Sequence, residues 1–235
     1  MARRWIVVPA AGGGTRFGSA KQYADLGGEP LLARTLARLA CIEAEAIVVA
    51  LAPDDERFAQ VVAAREGVKT LACGGATRAE TVRNALHALA ARCRDDDWIL
   101  VHDAARCCVP RDALARLVDE LGDDRVGGLL ALPLADTLKR ATTGEGAPRV
   151  ARTEPRAGLW LAQTPQMFRY GLLRDAYASE TSRDCTDDAQ AVEALAAKGR
   201  CAMPRLVIGS AQNVKVTYPE DLALAMAIIA VQERS

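Results

Sequence analysis

Short apolar runs alternate with segments of helical periodicity along the chain, and this alternation restricts the fold more than any other feature. Five runs have the length and composition of buried strands: Trp5–Pro9, Ala46–Ala50, Val68–Ala72, Trp98–Val101 and Gly128–Pro133. Because these unbroken strands alternate with helices, we predict an α/β fold with a largely parallel sheet covered on both faces. Ligands of such sheets bind beyond the carboxyl ends of the strands, where the polar motifs of this chain fall.

Helical periodicity occurs between these strands and after them. The predicted helices are Pro30–Leu39, Phe58–Arg65, a helix capped by Thr77–Glu80, Pro110–Leu121, Tyr170–Ser179 and Asp187–Lys198. Late strands are predicted at Leu206–Ile208 and Asn213–Val216, and a final helix is predicted to start at Thr217–Glu220, with Pro219 in its first turn. A chain of 235 residues, half of them apolar, suits a single domain over residues 1–235.

Residues 136 to 157 depart from this pattern. Asp136–Gly146 has the sequence of a strand, a polar turn and a returning strand, so we predict a projecting hairpin, the β-arm. A two-stranded hairpin is too thin to have a core of its own and usually rests on another chain. The arm therefore favours a homodimer.

Composition excludes several classes of protein. The formal net charge is zero, which gives no indication of binding to nucleic acid or to a membrane surface. No apolar run approaches the ~18 residues of a membrane span, and the amino-terminal segment lacks the features of a signal peptide, so we expect a cytoplasmic protein. The seven cysteines show no C-x-x-C spacing, and we expect free, mostly buried thiols. With two histidines in the chain, a zinc site is not expected.

A glycine-rich loop follows the first strand. Gly12, Gly13 and Gly14 let the backbone wrap closely around an anion with its N–H groups pointing inward, and Arg16 and Lys21 add two cations. These features suit a triphosphate. The alternative is a flexible, solvated loop, and the absence of Gly-Lys-Ser/Thr rules out a P-loop.

An acidic residue, Asp103, stands at the end of the fourth strand, with Arg106 three positions later. The carboxylate can hold Mg²⁺ against phosphate oxygens, and the guanidinium can pair with phosphate. The alternative is an aspartate that caps the next turn. We interpret His102 as structural rather than as a base, and Asp95–Asp97 as a solvated turn.

Further candidates lie in a Gly-Gly turn and late in the chain. The turn Gly74-Gly75 leads into the helix capped by Thr77, and helix amino termini favour anionic or polar ligands. An ordinary capped helix is an equally good interpretation of this segment. Lys215 is on a predicted late strand from which it could reach a phosphate, although a lone lysine is usually a surface residue.

Seven segments together resemble one family, the 2-C-methyl-D-erythritol 4-phosphate cytidylyltransferases of the non-mevalonate isoprenoid pathway. The segments, in family order along nearly the whole chain, are PAAGGGTRFGSAKQY, GGATRAETV, VHDAAR, ADTLKR, GLWLAQTPQ, the helix start at Thr186-Asp187, and NVKVTYPEDL. The resemblance implies a Rossmann-like nucleotidyltransferase domain whose protruding β-arm interlocks two subunits. It also implies CTP and methylerythritol phosphate as substrates, with Mg²⁺.

The resemblance assigns roles residue by residue. It implies a CTP-binding set of Ala10, Ala11, Gly12, Gly13, Gly14, Gly75, Thr81, Asp103 and Ala104, with cytosine read by backbone groups, Gly75 and Thr81. It implies catalytic roles for Arg16, Lys21 and Lys215, and Mg²⁺ at Asp103. The methylerythritol phosphate would be held by Arg106, Thr137, Arg156 and Thr186.

Three rival functions remain open at this point. A sister enzyme would use ribitol 5-phosphate as the acceptor. A nicotinamide-dependent oxidoreductase would need an acidic residue after the second strand, where this chain has Ala50–Pro53. A non-catalytic nucleotide-binding module would leave Lys215 without a role.

Overall fold

The computed structural model describes residues 2–14, 17–144, 146–179, 182 and 184–234. Nine strands are present in these residues: β1 (Arg4–Pro9), β2 (Ala46–Leu51), β3 (Val68–Ala72), β4 (Trp98–Val101), β5 (Gly127–Pro133), β6 (Leu138–Ala141), β7 (Val150–Glu154), β8 (Trp160–Arg169) and β9 (Arg205–Ile208). Seven of them form one sheet in the order β3-β2-β1-β4-β8-β5-β9 across the described part of the chain. The four strands β1 to β4 are parallel, so their carboxyl ends share one edge. The predicted, largely parallel sheet is confirmed.

One strand of the sheet, β8, runs antiparallel between β4 and β5 and was not predicted. Its centre is Gln163-Thr164-Pro165-Gln166, which lacks the apolar alternation of a strand and contains a proline. Gln163, Thr164 and Gln166 are nevertheless buried. Their hydrogen bonds to the site described below account for polar residues in a central strand.

Helices cover both faces of the sheet. Their bounds are α1 (Leu31–Leu39), α2 (Phe58–Val61), α3 (Arg78–Ala88), α4 (Arg111–Leu121), α5 (Tyr170–Ala178), α6 (Asp188–Ala196) and α7 (Asp221–Gln232). Alternate residues of β1 point to opposite faces, with Trp5 and Val7 packing among side chains of α3, α5 and α6, and Ile6 and Val8 among those of α1 and α4. None of the described helices has the length and apolar content needed to cross a bilayer.

Two predicted helices are wrong in extent. The helix predicted over Phe58–Arg65 ends at Val61, because Val62 turns to an extended conformation and buries its side chain in the core. The final helix begins after Pro219 rather than around it, since the Asp221 carboxylate accepts the N–H groups of residues 217 and 218 and stops the preceding turn.

The segment Asn213–Val216 is not a strand. One backbone hydrogen bond, from Val216 N to Ala105 O at 2.9 Å, joins it to the loop after β4, which is too little for a ladder. A second correction concerns Asp97, which is fully buried rather than solvated. Arg3 approaches it to 2.6 Å, and although burial raises the pKa of Asp97, the hydrogen bonds from Arg3 and Arg94 outweigh burial and hold the pKa well below its ordinary value.

The described cysteines form no disulfide, but the prediction that most of them are buried is wrong. Cys107 and Cys108 are buried, Cys41 is exposed, and the other four are half-buried. The half-buried thiols lie at the margins of the core, where a small side chain packs without being enclosed.

The predicted β-arm is confirmed as a hairpin. Strands β6 and β7 pair with each other and with no other strand of the described chain. The Glu154 carboxylate forms salt bridges with Arg140 and Arg152, and most of the arm's side chains are exposed. The arm therefore has no apolar core of its own.

Candidate active site at the carboxyl edge of the sheet

A cavity of about 750 Å³ opens at the shared carboxyl edge of β1 and β4. The loop after β1, the turn before α3, the end of β4 and the segment around residue 215 form its walls. Twelve of the predicted site residues line it: Ala10, Ala11, Gly12, Gly13, Gly14, Lys21, Gly75, Thr81, Asp103, Ala104, Thr186 and Lys215. The parallel strands explain this convergence, because each delivers its following loop to the same edge.

A second, smaller cavity of about 190 Å³ adjoins the first. Arg106 lines it together with β8 residues, and four residues line both cavities: Arg78, Asp103, Thr186 and Lys215. Two ligands placed in the two cavities would therefore meet at one shared, charged wall.

Three predicted residues are not among those lining either cavity. Arg16 lies outside the described residues. Thr137 and Arg156 are exposed and belong to the arm, where an Arg156 guanidinium N–H donates to the carbonyl of Ala135. The arm of the same chain thus does not bring these two side chains to the cavities.

The glycine loop is shaped to leave its backbone open. Gly14 adopts φ +69°, and a side chain there would overlap the carbonyl of Ser19, so glycine is required. A Cβ atom on Gly12 or Gly13 would meet no heavy atom within 4 Å, so the space beside these residues is free for a ligand. None of the N–H groups of residues 11–14 donates to another described residue. They are available to an anion.

Lys21 connects this loop to the late segment. Its Nζ donates to the carbonyl of Val216 at 2.9 Å, and Val216 in turn is bonded to Ala105 after β4. The ammonium group is thereby held at the rim of the cavity. Lys21 lines the same cavity as Gly14 and Lys215, which agrees with its predicted role, and that role stays a prediction.

Asp103 is the centre of a charge cluster. Its buried carboxylate lies 2.8 Å from Lys215 Nζ, 3.0 Å from Arg78 Nε and 3.5 Å from Arg106 Nε. Burial raises the pKa of Asp103, but the three cations, Arg78 foremost, outweigh burial and hold that pKa far below its ordinary value. One carboxylate therefore orients three cations around the wall that the two cavities share.

Arg78 is the residue that sequence reasoning missed. Besides Asp103, it contacts Asp188, with its two terminal nitrogens 3.3 and 2.8 Å from the two carboxylate oxygens, and Tyr177 donates to the same carboxylate at 2.6 Å. Burial lowers the pKa of Arg78, and Asp188 and Asp103 more than reverse this effect. A signal was present: Arg78 is the first residue of α3, where the helix dipole disfavours a cation, so its presence needed another explanation.

His102 is structural, as interpreted from the sequence. The ring is fully buried, with Nε2 3.0 Å from the carbonyl of Arg106 and Nδ1 3.2 Å from Oγ1 of Thr164. Burial lowers the pKa of His102 to about 4, so the ring is neutral at pH 7. The same Thr164 hydroxyl accepts the N–H of Asp103, which fixes the end of β4 against β8.

The protein has a mostly parallel sheet flanked by helices. At the carboxyl edge of this sheet, a glycine loop, several cations and a strand-end carboxylate surround two joined cavities. This combination is typical of the Rossmann-like nucleotidyltransferases, the class to which the protein belongs. Comparison with known proteins narrows this class. The family model described as IspD, 2-C-methyl-D-erythritol 4-phosphate cytidylyltransferase, matches residues 5–231.

Similar proteins agree with the family match. The chain is 56% identical to the 2-C-methyl-D-erythritol 4-phosphate cytidylyltransferase of Laribacter hongkongensis over 97% of each chain. A crystal structure of 4-diphosphocytidyl-2C-methyl-D-erythritol synthase superposes with a TM-score of 0.84 at 39% identity, over 97% of this chain and 99% of that one. The structure of the cytidylyltransferase from Thermus thermophilus gives 0.75 at 35% identity, over 98% and 100%. The chain belongs to the 2-C-methyl-D-erythritol 4-phosphate cytidylyltransferase family.

Proposed function

We propose that this chain transfers the cytidylyl group of CTP to 2-C-methyl-D-erythritol 4-phosphate, giving 4-diphosphocytidyl-2-C-methyl-D-erythritol and pyrophosphate. The observation that carries the proposal is the shared wall of the two cavities, where Asp103 gathers Lys215, Arg78 and Arg106. A nucleotide in the larger cavity and a phosphorylated acceptor in the smaller one would meet there. The similar proteins are methylerythritol phosphate cytidylyltransferases, which favours methylerythritol phosphate over ribitol 5-phosphate as the acceptor.

The reaction needs no general base. A phosphate monoester has its second pKa near ~6, so the acceptor is largely dianionic at pH 7. Its oxygen attacks the α-phosphorus of CTP in line, the new P–O bond forms, and the bond to the leaving pyrophosphate breaks with its electron pair. The neutral, fully bonded His102 is not required to move a proton.

The difficulty of the reaction is repulsion between two anions, which fixed cations relieve. In this proposal Lys215 stands at the α-phosphate, while Arg16, Lys21 and the N–H groups of the glycine loop hold the triphosphate. Arg106 and Thr186 receive the phosphate of the acceptor. This division is supported by the cavity linings, because Lys215 lines both cavities whereas Arg106 lines the smaller one and not the larger.

Mg²⁺ is proposed as the metal, with Asp103 as its protein ligand. The described residues contain no group of three or more metal-ligating side chains, so these residues do not form a metal cage. A single carboxylate beside a triphosphate site fits Mg²⁺, which takes most of its ligands from phosphate oxygens and water. When bound, the ion would neutralise charge on the phosphates, and Asp103 would hold it beside Lys215.

A homodimer through the β-arm is also proposed. The edge strand β9 exposes Leu206 and Ile208, and Met203 beside it is 59% exposed, so an apolar face lies open next to the smaller cavity. Acidic residues, Asp187 and Glu193, line the groove there. The exposed arm carries basic residues, namely Lys139, Arg140, Arg149 and Arg152. An arm from a second copy would match this face in charge and would bring Thr137 and Arg156 toward the acceptor.

The free thiols support a reducing compartment, and we place the enzyme in the cytoplasm. The decisive experiment on function is pyrophosphate release from CTP with methylerythritol phosphate, with and without EDTA. We expect release that EDTA abolishes and that ribitol 5-phosphate supports poorly. Equal turnover of both acceptors, or CTP binding without release, would overturn the proposal.

A further inference from the structure

The segment between β9 and α7, residues 209–220, carries Lys215 but forms neither a strand nor a helix. A lysine has a flexible four-carbon stem, so its ammonium group is only as well placed as the backbone that bears it. In the proposed function, on which this inference rests, Lys215 acts at the wall that the two cavities share. Its contact with Asp103 at 2.8 Å therefore requires that other bonds fix the segment.

Asn213 joins this segment to β8. Its side chain is buried, and Nδ2 donates to the carbonyl of Thr164 at 2.9 Å and to Oε1 of Gln163 at 3.2 Å. No donor among the described residues contacts the other amide atom, Oδ1, so the side chain is held through Nδ2. Breaking these bonds would leave buried polar atoms unpaired, which is costly away from water.

Gln163 forms the second half of this pair of buried amides. Its Nε2 donates to the carbonyl of Ser210 at 2.9 Å, and its Oε1 accepts the N–H of Ser210 at 3.3 Å. The backbone N–H of Asn213 donates to the same Ser210 carbonyl at 3.0 Å and closes a turn. Gly209 lies against the pair, because a Cβ atom there would overlap Gln163 Oε1. Both ends of the turn at residues 210–213 are thus bonded to β8.

Asn213 also contacts the cation of the smaller cavity. Nη1 of Arg106 donates to the backbone carbonyl of Asn213 at 2.6 Å. Lys215 lies between Asn213 and Val216 in the chain, and Val216 is fixed in turn by its N–H bond to Ala105 at 2.9 Å. Among the described residues that line the two cavities, Asn213 does not occur. It can therefore affect the reaction only through the residues that it holds.

We propose that Asn213 is a positioning residue for the transfer: by fixing the late segment on β8, it sets the separation of Lys215 and Arg106 at the shared wall. Without its amide, the segment keeps the bonds at Ser210 and Val216 but loses the one between them and Lys215. The nucleotide still finds the glycine loop, which Asn213 does not touch, so the loss falls on the transfer step and on the acceptor.

The test measures pyrophosphate release from CTP and methylerythritol phosphate by Asn213→Ala. We expect kcat to fall by about ten- to a hundredfold, because a misplacement of about 1 Å can cost ~10²-fold in rate. The KM of the acceptor should rise as Arg106 shifts, while the KM of CTP should stay within about twofold of wild type. Gln212→Ala is the matched control, since it removes an exposed amide from the same segment and leaves the bonds of Asn213 in place.

A double-mutant cycle separates positioning from a loss of folded protein. If Asn213 acts through Lys215, then Asn213→Ala should lower the kcat of a Lys215→Ala protein by no more than about threefold. A merely structural role would reduce the folded fraction, and kcat would then fall by the same factor in both backgrounds. Equal factors would overturn the proposal, and so would a wild-type kcat in Asn213→Ala or an equal loss in Gln212→Ala.

Gly209→Ala reaches the same contact without altering Asn213, because its side chain would displace the Gln163 amide. It decides the question if circular dichroism shows that Asn213→Ala does not fold. We expect a smaller fall in kcat and the same loss of effect in the Lys215→Ala background.

Hydrogen exchange at the amides of residues 213–217 gives a measurement that does not depend on turnover. Exchange should quicken in Asn213→Ala and stay unchanged in Gln212→Ala, because the first variant alone releases the segment from β8. Unchanged exchange in both would overturn the proposal. Quickened exchange in Asn213→Ala, together with a wild-type protein that releases no pyrophosphate, would sink the proposed function and leave Asn213 as the residue that fixes this segment.

Discussion

The charge cluster at the carboxyl edge of the sheet and the β-arm differ in how they are held. Asp103 is buried and contacts three cations that come from α3, the loop after β4 and the late segment. The arm is exposed, and its ion pairs converge on one residue of its own, Glu154. A single chain therefore supplies every member of the charge cluster. The side chains of the arm, in contrast, are mostly exposed and do not reach the cavities of their own chain. In the proposed enzyme, the nucleotide half of the site is intrinsic and the acceptor half is shared between subunits.

The largest expected effect falls on the cluster. Lys215→Ala should lower kcat by ~10²–10³, the usual effect of removing one preorganised donor from such a site. Steady-state pyrophosphate release measures it, with Lys198→Ala as an exposed lysine control. Turnover within a few-fold of wild type in a folded Lys215→Ala protein would remove lysine 215 from the mechanism.

A smaller effect is expected where the cluster is anchored. Arg78→Lys keeps the charge but loses the forked donors that contact Asp103 and Asp188 together, because an ammonium group is a point donor. We expect kcat/KM to fall about tenfold, the effect of one charge-assisted hydrogen bond. Arg83→Lys, on the same helix but paired at the surface, should leave it unchanged. An equal effect of the two substitutions would show that the contacts of Arg78 with Asp103 and Asp188 do not contribute to catalysis.

Lowering the pH should lower the free energy of unfolding, because His102 is buried and neutral in the folded protein. The folded protein keeps this ring neutral down to a pKa of about 4, whereas the unfolded chain takes up a proton near pH 6.5. Neutral His102 therefore contributes fully to the free energy of unfolding above pH 6.5. This contribution is lost as the pH falls toward 4, by at most about 1.4 kcal/mol per pH unit. Urea unfolding between pH 7 and 4.5 measures this slope.

The variant His102→Asn should flatten that slope, and His87→Asn, at an exposed position of α3, should not. Carboxylates with lowered pKa values, Asp97 and Asp103, contribute at more acid pH, so they do not produce the same slope. A slope that survives in His102→Asn would assign the pH dependence to another group.

The smallest effect belongs to the arm. Glu154→Gln removes the ion pairs to Arg140 and Arg152, which are largely exposed. Such pairs stabilise by about 0–1 kcal/mol, so the melting temperature of the protein should change by no more than a few degrees. A drop comparable to that of a core substitution would mean that the arm is anchored more firmly than its exposure suggests.

The sequence was sufficient to predict the convergence of the glycine loop, Asp103 and the turn at Gly75. Parallel strands bring their following loops to one edge, and the apolar runs identified those strands. Lys215 lines the predicted cavity although its segment is not a strand, because hydrogen bonds to the loop after β4, to Lys21 and to β8 hold this segment. These features depend on local pattern and on the topology that follows from it.

Other features depend on contacts that no local pattern records. The centre of the buried strand β8 has no apolar alternation, since its polar side chains form hydrogen bonds with Asp103, Asp187 and Asn213. Arg78 is held in the site by a salt bridge to Asp188, which lies more than a hundred positions away in the sequence. In the proposed dimer, the position of Thr137 and Arg156 relative to the acceptor depends on a second copy of the chain, and no local pattern records that contact.

In the proposed enzyme, one chain makes the nucleotide half of the active site and the arm of another chain completes the acceptor half. Mixing Lys215→Ala and Arg156→Ala proteins, each of low activity alone, tests this directly. If arms are exchanged, a mixed dimer contains one site with an intact Lys215 and an intact Arg156. Random exchange should then restore about a quarter of wild-type activity, since half of the dimers are mixed and each has one intact site. A mixture that stays as inactive as its parents would contradict the account.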